Sequence, residues 1–347
     1  DSVRRLEILT YDGLRCWVGP TGDEEYERVL AEGGRRAELY RGLRRLRDTY
    51  ADEIRERYPD IPRRVSGYNL DALLPENGFD VAKALVGSES TLVTVLRAEI
   101  DLFPTRSASA LVVLGYPDIA TAADDVPAVV AHGPAALEGI DHRLVELERN
   151  ESLADAAVAE LPRGQSWLLA QFSGDDQDAV DRAAQGLVDE LASRGDHDRE
   201  SRPSAKVLDQ PLSEQQLWEA REAGLAATAY PPLGSPTHPG WEDAAVAPER
   251  LGDYLRDYRD LLERHGLGET AIYGHFGQGC VHCRIPFDLG TAGGVEAFRA
   301  FLVEAAHLAA SFGGSLSGEH GDGQARGELL RILYGDDVVR AFEEFKA

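Results

Sequence analysis

Apolar and polar residues alternate at the start of the chain, with Leu6 and Ile8 on one face of a predicted strand. The dipeptide Asp12-Gly13 follows, which is a strong signal for a tight turn, and the segment 14–18 then returns as a second strand. This pattern predicts a β-hairpin. Because such a strand needs neighbouring strands, and because the chain has no Met at all, we expect it to be a piece of a longer protein.

A helical pattern covers residues 23–58, where apolar residues recur at every third or fourth position. The pair Gly33-Gly34 predicts a break in this helix. Further along, a turn of small residues at 87–92 leads into an apolar segment, 93–103, which we interpret as a buried strand. A turn of this kind lets backbone N–H groups approach an anionic or planar ligand closely, although a tight turn without a ligand fits the same residues.

After a boundary at 104–107 the pattern changes to alternating strands and helices. Strands are predicted at 110–114, 135–139, 167–172 and 205–208, and helices at 119–131, 178–193 and 213–223. This order predicts an α+β layer of ferredoxin-like type. Two further helices, at 248–266 and 295–312, each show one apolar face.

The composition narrows the class of protein. The formal net charge is −25 at pH 7, which argues against nucleic-acid binding and against docking on an anionic lipid surface. No apolar run approaches the roughly 20 residues that span a bilayer, and the N-terminus has no signal-peptide pattern. The three cysteines form no disulfide framework. We therefore expect a cytoplasmic protein without a transmembrane segment.

Residues that could bind a metal or transfer a proton are most concentrated in the window 273–326. It contains two polar segments rich in glycine, 273–284 and 317–326, with a predicted helix between them. Four of the nine histidines fall in this window, and three of them lie in the two glycine-rich segments. Glycine loses the most backbone freedom on folding, and glycine-rich loops that present His and Glu therefore indicate a site rather than a scaffold.

Strand parity puts His282 on the polar face of a predicted strand, and His275 precedes it across a turn that contains two glycines. Two imidazoles brought together by a loop are a common way to hold one divalent ion, and Glu319 is the nearest carboxylate that could complete the set. The adjacent His320 would stay off the metal and could act as a base. A single His on a strand is more often structural, so the hypothesis rests on the joint pattern.

Two other features have open interpretations. Cys280 and Cys283 form one C-x-x-C pair, whereas a zinc knuckle needs two such pairs. In an extended strand they would point to opposite faces, so we interpret them as packing residues, with an active redox pair as the alternative. Arg221 could bind a substrate carboxylate through its guanidinium fork, or pair with a glutamate of its own surface helix.

Three polar segments of the chain are distinctive: Gly87-Ser-Glu-Ser-Thr-Leu92, Tyr273-Gly-His-Phe-Gly-Gln-Gly-Cys-Val-His282 and Gly318-Glu-His-Gly-Asp-Gly323. They resemble the FAD-linked oxidases of the vanillyl-alcohol-oxidase type, in particular the group that contains D-lactate dehydrogenase and glycolate oxidase. The resemblance covers essentially the whole chain. It implies that residues 1–105 form the second half of an FAD-binding domain and residues 106–347 an α+β substrate, or cap, domain. The chain would then be truncated at both ends.

The resemblance also implies roles for individual residues. His275, His282 and Glu319 would hold a divalent metal, either Zn or Mn, and His320 would take the proton from the substrate. Arg221 would bind the substrate carboxylate. The residues that would line the flavin are Ser66, Gly67, Tyr68, Asn69, Gly87, Ser88, Glu89, Thr91 and Leu92.

The implied activity is the FAD-dependent oxidation of a D-2-hydroxy acid, such as D-lactate or glycolate, to the 2-oxo acid, with transfer of a hydride to the flavin. Members of the resembled group often carry an appended iron–sulfur domain, so the resemblance implies that an iron–sulfur domain or subunit would accept the electrons. This chain has no cysteine cluster of its own. Such an electron-acceptor partner could also bring the protein to the inner membrane.

The sequence departs from the family pattern in two ways. Ser90 stands where the family usually has Gly, and the terminal segments that help to hold FAD lie outside the chain. We therefore expect the intact protein to be a flavoprotein and this piece to bind FAD weakly or not at all. Two alternatives remain: a metal-only hydrolase that uses the same His and Glu residues, and a non-catalytic fragment or subunit without flavin.

Overall fold

The computed structural model describes residues 2–150, 160–193, 202–208, 214–215, 217–219, 228–229 and 236–347. By its internal contacts the chain divides into two compact units. The first unit comprises Asp1–Pro59, Val65–Pro104 and His320–Ala347, and the second comprises Asp60–Arg64 and Thr105–Glu319. The last segment of the chain thus belongs to the same unit as the first, and a domain boundary after residue 105 stays a prediction.

The strands are β1 (Val3–Leu9), β2 (Arg15–Val18), β3 (Thr94–Ile100), β4 (Ala108–Tyr116), β5 (Ala136–Asp141), β6 (Ser166–Gly174), β7 (Ser204–Leu208), β8 (Asp243–Ala245), β9 (Ile272–Gly274) and β10 (Cys280–Cys283). The helices are α1 (Asp23–Glu32), α2 (Gly34–Arg57), α3 (Val81–Leu85), α4 (Ile119–Asp124), α5 (Val126–Ala131), α6 (His142–Asn150), α7 (Gln177–Ser193), α8 (Leu251–Arg264), α9 (Ala292–Ser311), α10 (Gly323–Arg326) and α11 (Leu330–Lys346).

The predicted hairpin and the predicted broken helix are both present in the first unit. β1 pairs antiparallel with β2, with Leu6 opposite Val18, and β3 pairs with the other edge of β1. Gly33 has a φ of +69° and separates α1 from α2, as the glycine pair predicted. α2 packs against α11, where the Tyr50 hydroxyl donates a hydrogen bond of 2.7 Å to Glu344.

β3 corrects one prediction. The apolar segment 93–103 predicts a buried strand, but all seven residues of β3 are exposed. The reason is topological, because β3 lies at the edge of a three-stranded sheet and, among the described residues, pairs only with β1. The apolar side chains of Val95, Leu96 and Ile100 are therefore exposed in this chain.

The second unit is built on a seven-stranded antiparallel sheet in the order β7-β4-β6-β5-β9-β10-β8. The order β7-β4-β6-β5 is that of a ferredoxin-like β-α-β-β-α-β unit, in which α4 and α5 connect the first strand pair and α7 the second. The predicted α+β class is thus confirmed. One core cluster of this unit includes Leu111, Val113, Ile140, Trp167 and Leu169.

The helix predicted at 119–131 is two helices. α4 begins after Asp118, whose carboxylate accepts a hydrogen bond of 2.8 Å from the backbone N–H of Thr121. Asp125 separates α4 from α5, and Pro127 follows in the first turn of α5. Proline lacks the backbone N–H that a continuous helix would use, so α4 has to end before it. Of the helix predicted at 213–223, residues 213, 216 and 220–223 lie outside the described residues.

Across the part of the chain that the structure describes, no helix has both the length and the apolar character that crossing a membrane requires.

Two glycines with the same positive φ angle allow a stability test of the turn between His275 and His282. Gly279 and Gly266 both have a φ of +70°. A Cβ on Gly279 would lie 1.8 Å from the carbonyl oxygen of Val246, whereas a Cβ on Gly266 would have no atom within 4 Å. We expect Gly266→Ala to lower the free energy of unfolding by about 1 kcal/mol, the cost of a left-handed Ala.

We expect Gly279→Ala to cost a further ~1–3 kcal/mol, because the loop around Val246 has to move. Denaturant unfolding of the full-length protein measures both values. Equal losses for the two variants would contradict the close approach of Gly279 to Val246.

Candidate functional site

The two histidines of the first polar segment are placed by adjacent strands of the second unit. His275 follows β9 directly, and His282 lies within β10. β9 and β10 pair antiparallel with His282 opposite Tyr273, so the turn that joins them returns the chain to the same end of the sheet. The turn is closed by a hydrogen bond of 3.2 Å from the N–H of Cys280 to the carbonyl oxygen of His275. The predicted turn between the two histidines is therefore present.

The second polar segment returns alongside β8, as the helix before it suggested. Ser315 forms a pair of backbone hydrogen bonds with Ala245, of 2.8 and 3.1 Å. Asp243 of β8 is fully buried, and its Oδ2 accepts hydrogen bonds from the Ser317 hydroxyl at 2.7 Å and from the Glu319 N–H at 2.9 Å. Because β8 also pairs with β10, with His282 opposite Asp243, this carboxylate fixes Glu319 beside His282.

His275, His282 and Glu319 converge on one point. Oε1 of Glu319 lies 2.8 Å from Nε2 of His282 and 3.1 Å from Nε2 of His275. One potential ligand atom of each residue lies within 4.8 Å of the others. The His282 side chain is only 7% exposed, whereas those of His275 and Glu319 are 28% and 27% exposed, so the cluster is open to solvent on one side.

The atoms of these three residues that point away from the shared centre also have partners. Nδ1 of His275 lies 2.6 Å from Oε1 of Glu138, and Nδ1 of His282 lies 3.3 Å from the carbonyl oxygen of Glu242. Oε2 of Glu319 accepts a hydrogen bond from Arg63. These contacts hold each of the three side chains in an orientation that leaves one potential metal-ligand atom facing the other two residues.

Arg63 joins two parts of the site. Its Nε donates to the side chain of Gln278, in the turn after His275, and its Nη1 donates to Glu319. Arg63, Gln278, Glu138 and His275 also line a cavity of about 200 Å³. Polar side chains thus face a space beside the cluster that is large enough for a small organic molecule.

The two cysteines of β10 are buried and reduced. Burial raises the pKa of Cys283 to about 12, so its thiol stays protonated at neutral pH. The Tyr258 hydroxyl lies 2.9 Å from its sulfur atom, and the thiol donates to the carbonyl oxygen of Trp241 at 3.1 Å. This environment favours the packing interpretation over a redox pair, because an active thiol needs a lowered pKa.

The two segments predicted to line a flavin meet within the first unit. The hydroxyls of Tyr68 and Thr91 lie 2.7 Å apart, and the Thr91 hydroxyl donates to the carbonyl oxygen of Ser88 at 2.6 Å. Asn69 donates to the carbonyl oxygen of Val86 at 3.0 Å. The segments Ser66–Asn69 and Gly87–Leu92 therefore form one region of this unit, in which Ser66 and Ser88 are buried.

The end of the second polar segment belongs to the same region. Asp322 accepts a hydrogen bond of 2.7 Å from the backbone N–H of Gly67. Gly321 has a φ of +86°, and a Cβ there would lie 2.5 Å from the carboxylate of Glu89. His320, the first residue of the segment that joins this unit, has an exposed side chain.

The turn at residues 87–92 has an uncommon backbone conformation. Glu89 and Ser90 have φ angles of +49° and +62°, a left-handed conformation that costs roughly 1–2 kcal/mol for residues with a Cβ. Gly87, at a φ of +81°, adopts it without that cost. Consecutive strained residues of this kind are concentrated at ligand sites and switches.

Arg221, predicted to bind the substrate carboxylate, lies outside the described residues. Three residues that shape the site were not singled out from the sequence: Glu138, Asp243 and Arg63. A carboxylate in the otherwise apolar segment 136–140 was the available signal for Glu138. The sequence offers no comparable signal for Arg63, because its partners come from distant parts of the chain.

Comparison with known proteins adds an independent finding. The family model for the C-terminal domain of FAD linked oxidases matches residues 105–347. Over 342 residues the chain is 29% identical to the D-2-hydroxyglutarate dehydrogenase of Pseudomonas putida, which covers 97% of this chain and 34% of that protein. It is also 29% identical over 262 residues to the D-lactate dehydrogenase of Archaeoglobus fulgidus, covering 74% of this chain and 53% of that protein.

Among solved structures, the 4-ethylphenol oxidase of Gulosibacter chungangensis in its isoeugenol complex matches with a TM-score of 0.48 and 12% identity, covering 88% of this chain and 56% of that one. The chain spans about a third of the length of the D-2-hydroxyglutarate dehydrogenases that it matches.

The strained turn leads to a prediction about stability. Replacing Ser90 by Gly removes a left-handed residue that has a Cβ, so we expect the free energy of unfolding to rise by up to ~1 kcal/mol. Ser88→Gly is the matched control, because Ser88 is buried and has no positive φ. We expect it to lower the free energy of unfolding by about 0.5–1 kcal/mol. Denaturant unfolding of the full-length protein measures the free energy of unfolding of both variants. A loss of stability in both would argue against strain at Ser90.

Proposed function

The chain belongs to the family of FAD linked oxidases, with its C-terminal domain at residues 105–347, and from this premise we propose that the intact protein oxidises a D-2-hydroxy acid to the corresponding 2-oxo acid. The observation that supports this proposal most directly is the convergence of His275, His282 and Glu319. Relatives named for oxidation of D-2-hydroxyglutarate and D-lactate suggest the class of substrate.

The donor set fits a divalent metal. Two imidazole Nε2 atoms and one carboxylate oxygen face each other, which matches the three protein ligands and one open position of many catalytic zinc sites. The same set of N and O donors suits Mn²⁺. The second nitrogen of each imidazole has an oxygen partner, at Glu138 and at the Glu242 carbonyl. Such partners fix the tautomer of a metal-binding histidine.

When bound, a divalent ion would act as a Lewis acid that lowers the pKa of the substrate hydroxyl. The residues around it would bind and orient the acid. His320 is the proposed base, which would accept the hydroxyl proton on its imidazole. Arg221 is the proposed partner of the substrate carboxylate, since a guanidinium binds a carboxylate through two parallel hydrogen bonds.

FAD, when bound, would supply the acceptor for the hydride that leaves the substrate. The proposed flavin-lining residues fit that role in two respects. The turn 87–92 exposes backbone in a left-handed conformation at Glu89 and Ser90, and the Tyr68–Thr91 contact joins it to the other lining segment. We propose that residues 1–105 are the second half of an FAD-binding domain and that residues 106–347 are the substrate domain.

The remaining electron route is also a proposal. We propose that an iron–sulfur domain or a separate iron–sulfur protein accepts the electrons, as the family resemblance implies. The protein would act in the cytoplasm and reach the membrane through such a partner. A metal-only hydrolase would use the same His and Glu residues, but the family match to FAD linked oxidases favours the flavin reaction.

The proposed base is tested with purified full-length protein and an artificial electron-accepting dye. We expect reduction of the dye with D-2-hydroxyglutarate, D-lactate or glycolate, and we expect His320→Ala to lower kcat by about 10²–10⁴ while FAD remains bound. His307→Ala is the control, because His307 is an exposed residue of α9 and should leave kcat unchanged. Unchanged turnover in His320→Ala would remove His320 from the mechanism, and no turnover with any 2-hydroxy acid would remove the proposed reaction.

The metal site has its own test, which is independent of turnover. We expect full-length protein to bind about one divalent ion per chain, and His282→Ala to lose most of it, because three-ligand sites depend on each ligand. His265→Ala is the control, since His265 also pairs with a carboxylate, at 3.2 Å from Glu304, but lies outside the cluster. Elemental analysis of the dialysed proteins measures the content. Equal metal content in the two variants would contradict the assignment.

A further inference from the structure

We propose that Glu138 is a positioning residue of the metal site, which holds the proton of His275 on Nδ1 and thereby turns Nε2 toward the ion. This inference rests on the proposed function, because it assumes that His275 and His282 bind a metal. Neither the family match nor the sequence patterns assign a role to Glu138. Four observations support this proposal. They concern the burial of Glu138, its position in the sheet, the side of the His275 ring that it contacts, and the different partners of Asp141.

The first observation is that Glu138 is a buried acid. It lies in the middle of β5, and its side chain is only 8% exposed. Burying a carboxylate is costly unless strong hydrogen bonds or charges compensate for the lost water. Its contact with His275 is short, at 2.6 Å between Oε1 and Nδ1, as expected for a hydrogen bond to a charged acceptor. An acid retained in a buried strand therefore makes a strong contact with a site residue.

The second observation is that the sheet enforces this contact. β5 pairs with β9 with Gly139 opposite Gly274, the residue before His275. A Cβ on Gly139 would lie 2.4 Å from the ring of Phe276, so only glycine allows the turn after β9 to pack this closely on β5. The position of Glu138 against His275 is therefore set by backbone pairing on one side and by a packed ring on the other.

The third observation is directional. The two ring nitrogens of an imidazole point to different sides of the ring. Nδ1 of His275 faces Glu138, whereas Nε2 faces Oε1 of Glu319 at 3.1 Å. Glu138 is therefore on the wrong side of the ring to bind the same ion. Its negative charge would instead fix the Nδ1–H tautomer, which leaves the lone pair of Nε2 directed at a cation.

The fourth observation is the contrast with Asp141, at the end of the same strand. Asp141 is 1% exposed and is also a buried carboxylate. It binds structural groups: Arg259 at 2.6 Å, the N–H of Ile272 at 2.9 Å and the N–H of Leu144 at 3.0 Å. These three partners are a guanidinium and two backbone amides rather than an imidazole. Asp141 is thus a matched control for the general effect of removing a buried negative charge from β5.

The test compares metal affinity in full-length Glu138→Gln, Glu138→Ala and Asp141→Asn, measured by competition with a chelator for Zn²⁺. We expect Glu138→Ala to weaken binding by about 10–100-fold, the usual effect of losing the carboxylate behind a metal-binding histidine. Glu138→Gln keeps an acceptor oxygen without the charge, and we expect a smaller loss. Asp141→Asn should lower stability but leave the affinity of the folded protein unchanged.

A spectroscopic measurement separates positioning from stability. In Zn²⁺-loaded wild-type protein we expect an NMR signal of an exchange-protected Nδ1–H proton, assigned to His275 by its loss in His275→Ala. The signal should broaden or disappear in Glu138→Ala and persist in Asp141→Asn. Glu138→Gln has nearly the same shape as the native residue, so it provides the comparison if Glu138→Ala does not fold.

The outcomes distinguish this proposal from the proposed function. Wild-type affinity and an unchanged Nδ1–H signal in both Glu138 variants, with metal bound by the wild-type protein, would overturn the role of Glu138 alone. Failure of the wild-type protein to bind Zn²⁺ or Mn²⁺ would overturn the metal site and this inference together. A parallel loss of affinity in Asp141→Asn would show a general effect of strand stability and would also overturn the inference.

Discussion

The register of three short strands determines where the polar groups of the site lie. β10 pairs with β9 on one side and with β8 on the other, so His282 stands opposite both Tyr273 and Asp243. The turn after β9 then ends at His275, and Asp243 holds the returning loop at Glu319. A shift of one residue in this pairing would move His282 to the other face of the sheet. The convergence of the three donors therefore depends on backbone pairing before it depends on any side-chain contact.

The two buried carboxylates that contact the cluster of His275, His282 and Glu319 have different roles. Asp243 accepts hydrogen bonds from a backbone N–H and a hydroxyl, and so fixes the course of the loop. Glu138 contacts Nδ1 of the His275 imidazole at 2.6 Å, and in our proposal it fixes the direction of that side chain. Arg63 balances one of the negative charges through its contact with Glu319. Such an arrangement keeps the donor atoms in place at the cost of burying charge.

Much of the site's layout could be predicted from the sequence, because it follows from local rules. Strand parity identified the polar face at His282, and the helix before Ser317 gave a route back to the sheet. Glu138, Asp243 and Arg63 could not be identified in this way, since their roles depend on partners far away in the sequence. The exposure of β3 was mispredicted for a related reason: apolar composition reports a preference for burial, but the number of neighbouring strands is a property of the assembled sheet.

The central claim is that His275, His282 and Glu319 bind one divalent ion, and crystallography of the full-length protein grown with Mn²⁺ tests it most directly. The account predicts an anomalous difference peak at roughly 2.0–2.3 Å from Nε2 of both histidines and from a carboxylate oxygen of Glu319. Glu138 should remain on the Nδ1 side of His275 without contacting the ion. A peak elsewhere, or no peak with the three side chains in direct contact with one another, would contradict the account.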